Sequence, residues 1–490
     1  MNTAFLRKQL LFFAALVLLW CARPDSAAAQ QKAGGQEARQ FKAGAAMSVI
    51  TPPIGYSING NMQDGKIRQV HDDTHAKAIV LDDGENKLAI VVSDLCMVYK
   101  ETLDKAKKKA HEYSGIPVEN MMMSATHTHS SGTACSVFQS DPSPEYLDFL
   151  SERIADAVIR ANNNLVPAEI GWGKGYEATQ VHNRRWFMKS DEGMTNPFGG
   201  VDKVRMNPGI QNPNLNEPAG PIDPEISVLS VRSLAGEPIA VLGNYSLHYV
   251  GGTGGGELSA DYFGMFGKRM KELRGEGNPH RPFVGIMSNG TSGDINNIDW
   301  RSGSWKPTGA YAQMNRVANL VAAEANKAVE GMQYRKWVPL LSMQKEISLG
   351  VRKPTPAELK RAEDILAKET EKVLTKRDAI YARESVLINK FPDKVPLIIQ
   401  AFKIGDLAIS AIPCEVFVEI GLEIKEKSPF ASNFTISLAN GYNGYLPTPK
   451  QHSWGGYETW RARSSYLEVN ASEKITATLF SLLNQLKQKP

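Results

Sequence analysis

The stretch Met121-Met122-Met123-Ser124-Ala125-Thr126-His127-Thr128-His129 joins a short apolar run directly to a pair of histidines. An apolar run of about six residues that ends at polar side chains is typical of a buried β-strand and the loop after it. If the chain stays extended past Thr126, the imidazoles of His127 and His129 point to the same face. Two histidines and a carboxylate are a common ligand set for catalytic zinc, although a pair of hydrogen-bonded loop histidines fits the same pattern.

Polar side chains follow several other apolar runs in the same way. Asp94 follows Leu88–Ser93, His248 follows Ala240–Ser246, Asp294 and Asn296 lie in the loop after Phe283–Ser288, and Glu415 follows Leu407–Ile412. Ligands of open α/β sheets bind beyond the carboxyl ends of the strands, so we expect these side chains to converge. For Glu415 an alternative is equally open, because a carboxylate at this point also suits the start of a helix.

Apolar runs and helical patterns alternate from residue 44 to the end of the chain, which predicts one large α/β domain built on a mixed sheet. Further predicted strands are Ala78–Leu81, Ile226–Val231 and Leu397–Ile404. Predicted helices begin at Pro144, at the capping box Thr355–Glu358 and at Asn470. Their apolar patterns continue to Val158, to about Ala382 and to Leu486. Residues 187–221 have many Gly, Pro and Asn residues and no periodicity, so a long loop is expected there.

The first 29 residues have the pattern of a signal peptide. Arg7 and Lys8 precede the apolar run Leu10–Cys21, and Ala27–Ala29 supplies the small residues of a cleavage site. That run is shorter than the ~20 residues a membrane span needs, so an exported protein, periplasmic or secreted, without a stable membrane span is predicted. A lipoprotein anchor at Cys21 is the alternative. Residues 30–43 are polar and are predicted to be a flexible lead-in.

Composition excludes several classes of protein. Of the 490 residues, 42% are hydrophobic and 22% are charged, which is incompatible with wholesale disorder. The net charge of +4 and the lack of a basic cluster with interleaved aromatic residues argue against a nucleic-acid partner. After the signal peptide, Cys96, Cys135 and Cys414 form no C-x-x-C pair, so buried free thiols are expected. Without a Gly-x-Ser-x-Gly motif, there is no basis for a serine-hydrolase site.

Two weaker candidates are also present. His71 and His75 flank two aspartates and could bind a metal ion, but a turn in contact with solvent fits them better. Gly251–Gly256 looks like a phosphate-binding loop but lacks the Lys-Ser/Thr that follows in such loops, so a flexible loop at the site is preferred.

Four segments, in this order, resemble the neutral (non-lysosomal) ceramidase family, specifically its large N-terminal catalytic domain. They are Ala45–Tyr56 with its Ile-Thr-Pro-Pro, Thr126–Ser130, Ser292–Asn296, and Tyr442–Thr448 with Tyr457 and Glu458 downstream. The resemblance extends from about residue 43 to the C-terminus. The Thr-His-Thr-His motif is fairly specific for the family when the other three segments occur with it in this order. No segment is specific on its own.

The resemblance implies a zinc enzyme that hydrolyses an N-acyl amide bond. The family's substrate is a sphingolipid, so a small-molecule or lipid-like substrate is expected here. The zinc ligands would be His127, His248, Glu415 and Tyr445. His129, Arg184 and Tyr457 would be the polar groups around the scissile amide. Zinc would lower the pKa of its water to about 7 and polarise the carbonyl, while the nearby donors stabilise the oxyanion.

The sequence departs from the family in two respects. Asn296 stands where the family has a serine beside the metal, and the family's C-terminal immunoglobulin-like domain is not expected here. The substrate is therefore expected to have diverged from ceramide. One alternative is a metal hydrolase of a carbohydrate derivative, and another is a non-catalytic binding protein on the same fold. For a carbohydrate substrate, five tryptophans could stack against the sugar rings, although packing in the core is the favoured role of each. They are Trp186, Trp300, Trp305, Trp454 and Trp460. The oligomeric state is not predicted.

Overall fold

The computed structural model describes residues 39–302 and 309–489. The predicted signal peptide, Cys21, Trp305 and most of the lead-in lie outside these residues. Within them, contacts join Arg39–Pro490 into one unit. The first strand begins at Lys42, and the preceding Phe41 is buried in the core.

The chain forms the following elements. The strands are β1 (Lys42–Val49), β2 (Ser57–Ile58), β3 (Gly65–Lys66), β4 (Gln69–Val70), β5 (His75–Asp82), β6 (Lys87–Ser93), β7 (Met121–Ala125), β8 (Val166–Tyr176), β9 (His182–Asn183), β10 (Arg185–Met188), β11 (Val204–Met206), β12 (Leu215–Pro218), β13 (Glu225–Ser233), β14 (Pro238–Tyr245), β15 (Glu257–Leu258), β16 (Gly277–Asn278), β17 (Arg281–Pro282), β18 (Val284–Asn289), β19 (Ile295–Asn296), β20 (Leu340–Gly350), β21 (Lys394–Ile404), β22 (Leu407–Ala411), β23 (Glu415–Val416), β24 (Ser432–Ile436) and β25 (Tyr445–Leu446). The helices are α1 (Lys100–Ser114), α2 (Pro144–Asn163), α3 (Asp261–Arg274), α4 (Ala312–Glu330), α5 (Pro356–Leu366), α6 (Arg377–Asn389), α7 (Val418–Lys427), α8 (Pro449–Trp454) and α9 (Ala471–Gln488), with 3₁₀ turns at Val118–Asn120 and Tyr457–Thr459.

Two sheets form the centre of the domain. The larger is an eight-stranded mixed sheet in the order β18-β14-β13-β8-β1-β5-β6-β7, and the smaller is a four-stranded sheet in the order β20-β21-β22-β24. Apolar side chains from both sheets share one buried cluster, so the sheets pack face to face. The prediction of an α/β domain with a large mixed sheet is confirmed, and the second sheet adds a layer to it.

Helices cover the outer faces of the two sheets. The alanines, valines and methionines of β5, β6 and β7 pack against α1 and α2, and the other end of the same sheet packs against α3 and α4. The outer face of the small sheet packs against α7 and α9. Strands that are buried on both faces have apolar side chains on both faces. Such strands are therefore recognisable in the sequence as continuous apolar runs.

The two edge strands of the large sheet meet at their carboxyl ends. Asn289, the last residue of β18, donates a hydrogen bond from Nδ2 to the carbonyl oxygen of Thr126, which directly follows β7, at 3.0 Å. The loops after β7, β14 and β18 are therefore neighbours. Asp94, by contrast, forms a buried ion pair with Lys77 at 2.8 Å and has a structural role.

The predicted long helix from Thr355 to residue 382 is wrong. The capping box at Thr355 is present, but α5 ends at Leu366 and α6 begins only at Arg377. Between them, Leu374 exchanges backbone hydrogen bonds of 2.9 Å with the side chain of Gln139, which replaces the bonds a helix would make. Val373, predicted to lie on the apolar stripe, is 53% exposed, whereas Leu374 is buried.

The predicted loop at residues 187–221 is also partly wrong, because β10, β11 and β12 form a three-stranded sheet there. The final helix is confirmed with small differences: α9 extends to Gln488, and Asn470 precedes it without a side-chain capping bond. The three cysteines are buried free thiols, as predicted. Among the described residues, no helix is long and apolar enough to cross a membrane.

Candidate metal centre

Glu415 and Tyr445 are brought together by backbone pairing. They lie opposite each other in the short parallel pair of β23 and β25. The loop after β18 packs against this pair, since the amide of Gly293 donates to the carbonyl oxygen of Val416 at 2.8 Å. A side chain at Gly293 would approach the backbone oxygen of Glu415 to 2.6 Å, so a residue without Cβ is needed for this close contact.

His127 does not continue the strand, contrary to the prediction of an extended chain. Its φ of 76° lies in the left-handed region, and its amide donates to the carbonyl oxygen of Leu95 at 2.8 Å. The two imidazoles nevertheless meet, with 3.2 Å between the Nε2 atoms of His127 and His129. Their convergence comes from a turn of the backbone and not from strand periodicity.

His248 follows β14 and points at the same place. Its Nε2 lies 3.0 Å from Nε2 of His127. The other ring nitrogens of both residues contact backbone carbonyl oxygens: Nδ1 of His127 lies 2.7 Å from that of Cys96, and Nδ1 of His248 lies 2.9 Å from that of Ser292. Because a carbonyl oxygen can only accept, each Nδ1 donates, and in the neutral ring the Nε2 lone pair is left for a metal.

Glu415 completes the cluster. Its Oε2 lies 3.1 Å from Nε2 of His127 and 3.8 Å from Nε2 of His248. Oε1 accepts a hydrogen bond of 2.9 Å from the hydroxyl of Tyr442, whereas the buried Oε2 accepts none. An unpaired buried carboxylate oxygen is costly, and a cation bound between Glu415 and the two histidines would satisfy it.

The donor set fits zinc. The ligand atoms of His127, His248 and Glu415 all lie within 4.8 Å of one another and are buried. Ligands about 2.0–2.2 Å from a tetrahedral zinc ion lie about 3.3 Å apart, close to the distances between these atoms. His71 and His75 belong to no such group among the described residues, and His71 stacks on Tyr311 at 3.6 Å.

Charge and burial set the protonation of the histidines. Burial lowers the pKa of His248 well below its usual value, and the nearby Arg184 lowers it further. The pKa of His129 is lowered in the same direction by burial and by His127. Burial would also lower the pKa of His127, but the Glu415 carboxylate raises it well above the usual value.

A second group of polar side chains surrounds the cluster. Arg184 donates from Nη2 to the hydroxyl of Tyr445 at 3.1 Å and to the carbonyl oxygen of Gly293 at 2.8 Å. The rings of Tyr445 and Tyr457 meet edge to face with centroids 5.8 Å apart. The structure therefore brings Arg184 and Tyr457 into contact with Tyr445, the fourth predicted ligand.

His129 is held between two neighbours. Its ring stacks on Tyr249 at 3.7 Å, and its buried Nδ1 has no hydrogen-bond partner. On the other side lies Gly60, where a Cβ would approach the His129 side chain to 2.6 Å. The half-buried ring is thus fixed in orientation while one nitrogen is left without a partner.

Asn296 is anchored in its own loop. Its Nδ2 donates to Oδ1 of Asn207 at 3.0 Å, and its Oδ1 accepts from the amide of Ile298 at 3.1 Å. Both ends of the amide group are therefore engaged, and within the described part of the chain none of its hydrogen bonds reaches a candidate ligand. The neighbouring Asp294 accepts from the amide of Val418 at 2.8 Å and from Asn183 at 2.9 Å, which ties this loop to α7 and β9.

Several residues at the centre had no predicted role. Tyr442 and Glu458 lie inside or beside quoted motifs, so their positions could have drawn attention to them. Tyr249 directly follows a predicted ligand, but Gly60 carries no signal in the sequence. Of the tryptophans predicted as stacking platforms, Trp186 and Trp300 are buried and Trp454 and Trp460 are half-buried, which favours packing roles. Residues Gly251–Gly256 form a loop close to the site, where the hydroxyl oxygens of Thr253 and Ser130 lie 3.2 Å apart.

Comparison with solved structures identifies the fold. The chain is similar to the neutral ceramidase from Pseudomonas aeruginosa, with 18% sequence identity, a TM-score of 0.69, and coverage of 92% of this chain and 75% of that one. It is also similar to a ceramidase complexed with C2, with 17% identity, a TM-score of 0.67, and coverage of 92% and 76%. No protein-family model and no curated protein matches the sequence.

The fold and the buried His-His-Glu cluster together define a mixed α/β protein with a candidate metal centre at the carboxyl ends of its strands. The chain has the fold of the neutral ceramidases, and the resemblance predicted from the four sequence segments is confirmed at this level.

Proposed function

We propose that this chain is a zinc-dependent hydrolase of N-acyl amide bonds that acts on a lipid-like substrate. The observation that carries the proposal is the cluster of His127, His248 and Glu415, with its unpaired carboxylate oxygen, in a chain with the neutral ceramidase fold. His127, His248, Glu415 and Tyr445 would hold the metal. Bound zinc would supply a Lewis acid that polarises the amide carbonyl and lowers the pKa of water.

The chain's own residues account for the rest of the reaction. Arg184 stays positively charged because Tyr445 and Glu458 raise its pKa, although burial alone would lower it. It can donate hydrogen bonds to the oxygen that becomes negative as water adds to the carbonyl, and the hydroxyl of Tyr457 can do the same. Burial lowers the pKa of His129 well below its usual value, so its ring is neutral at pH 7. A ring nitrogen can then accept a proton from the attacking water and pass it to the nitrogen of the leaving amine.

Two further parts of the proposal rest on sequence patterns. Residues 44–490 would form the catalytic domain, and the pattern of residues 1–29 supports export to the periplasm or the medium. That N-terminal segment lies outside the described residues.

A hydrolysis screen tests the proposed bond type. Purified protein is assayed with and without a chelator on long-chain ceramides, short N-acyl amides and N-acetylated sugars. We expect chelator-sensitive release of a fatty or short acyl acid from amides. Cleavage of the sugars alone would favour the carbohydrate alternative, and a protein that binds zinc but hydrolyses none of these substrates would favour a binding role.

Long-chain ceramide is expected to be a slow substrate, with kcat/KM below about 10⁵ M⁻¹s⁻¹. Asn296 cannot serve as a hydroxyl nucleophile or proton relay, and both ends of its amide are engaged in the loop. Asn296→Ser should raise ceramide turnover relative to a short amide by about tenfold. Asn297→Ser is the matched control and should leave the ratio unchanged. Efficient ceramide turnover by the unmodified protein would contradict this account of Asn296.

A further inference from the structure

Glu458 is a fully buried carboxylate held between two arginines. Its Oε1 accepts from Nε of Arg184 at 2.9 Å, and its Oε2 accepts from Nη1 of Arg185 at 2.6 Å. Arg185 is fully buried as well, and Arg184 nearly so. Charge-assisted hydrogen bonds of this kind are short and directional, so the carboxylate fixes both guanidinium groups.

The surroundings of Arg185 show that this residue fixes the position of the Glu458 carboxylate. Its remaining donors reach neutral oxygens, namely Oε1 of Gln451 at 3.1 Å and the carbonyl of Gly455 at 2.6 Å. The backbone of Gly456 presses against it, since a Cβ there would lie 2.7 Å from Nη1. Arg185 therefore holds one oxygen of Glu458, and its own guanidinium is fixed by hydrogen bonds and close packing.

Arg184, in contrast, faces the candidate metal centre. Nε is fixed by Glu458, and Nη2 is fixed by Gly293 and Tyr445. Its Nη1 donates no hydrogen bond within the described part of the chain, so one end of the guanidinium group is left to bind another acceptor. Two buried arginines share the single carboxylate of Glu458, and the charge of Glu415 also acts on Arg184.

We propose that Glu458 is the positioning residue of this centre, and that it holds Arg184 in the orientation that binds the negatively charged oxygen of the reacting acyl group. Arg185 serves as the anchor that keeps Glu458 in place. The proposal rests on the proposed function, since the acyl group is that of the amide substrate. The carboxylate product of hydrolysis carries the same acyl group and should bind to the same guanidinium.

Glu458→Gln tests the proposal, with Glu384→Gln as the matched control. Glu384 is also fully buried and accepts from Arg463 at 2.8 and 2.9 Å, but Arg463 is no part of the candidate centre. For each variant, kcat, KM, zinc content, the thermal midpoint and the dissociation constant of octanoate with zinc-loaded protein are measured. Glu458→Gln should lower kcat by about a hundredfold with KM changed less than about threefold, and weaken octanoate binding by about tenfold, with zinc retained. Glu384→Gln should lose comparable thermal stability and keep kcat and octanoate affinity.

Glu458→Asp provides a second variant if the glutamine variant does not fold. It keeps the charge but withdraws the carboxylate by one methylene, and kcat should fall by about tenfold. If kcat and octanoate affinity of the Glu458 variants stay within about twofold of the unmodified protein, Glu458 is only structural and the proposal is wrong. If the unmodified protein hydrolyses no amide but octanoate binding still depends on Glu458, the proposed function fails while the positioning role stands.

Discussion

Replacing His248 with alanine should remove the bound zinc and lower amide hydrolysis at least about a thousandfold. The same is expected for His127→Ala. Each substitution removes one of the few metal ligands and also one of the two imidazoles that contact the Glu415 carboxylate. Zinc contributes several kcal/mol of transition-state stabilisation, and each 1.36 kcal/mol corresponds to about tenfold in rate. Metal analysis of the purified variants, together with kcat/KM on the best amide substrate, measures both effects.

His280→Ala is the control for these substitutions. His280 is an exposed residue in the turn between β16 and β17, and it belongs to no candidate metal group among the described residues. Its removal should change neither zinc content nor rate. Full zinc occupancy in both His127→Ala and His248→Ala would refute the ligand assignment.

Arg184→Met should lower kcat by about 10²–10³ while zinc content stays near that of the unmodified protein. The substitution removes the donor that reaches the hydroxyl of Tyr445 and stands beside the centre, and loss of one such donor typically costs this much. Glu458 keeps its ion pair with Arg185, so no unpaired carboxylate is left buried. The effect should lie in kcat more than in KM, because the interaction strengthens as negative charge develops.

Arg232→Met serves as the comparison for Arg184. Arg232 pairs with Glu169 and lies over the ring of Tyr334, and none of its contacts in the described part of the chain reaches a candidate ligand. Its loss should alter stability only slightly and leave kcat unchanged. An Arg184→Met enzyme as fast as the unmodified one would rule out a role for this guanidinium in the reaction.

Most of the central sheet could be predicted from the sequence. Strands such as Leu88–Ser93 are buried on both faces and stand out as continuous apolar runs. The polar residue after such a run marks the carboxyl end of a strand. This pattern included His127, His248 and Glu415 among its candidates, and the family resemblance selected them as ligands. Tyr445, Arg184 and Tyr457 follow no such run, and only the family resemblance pointed to them.

The remaining features depend on contacts between distant parts of the chain. Between α5 and α6, Gln139, more than 200 residues away in the chain, satisfies the backbone of Leu374. His127 adopts a left-handed backbone because its amide is bound by Leu95, which no local pattern predicts. Glu458 was visible beside Tyr457, but its partnership with two consecutive arginines exists only in the folded protein.

Zinc titration of metal-free protein tests the central claim most directly. Protein stripped with a chelator is titrated with zinc while hydrolysis of an N-acyl amide is followed. The account predicts that the metal-free protein is inactive, and that activity returns in proportion to added zinc and reaches a plateau at one ion per chain. Equal activity before and after zinc is added, or one bound zinc per chain with no amide hydrolysis, would contradict it.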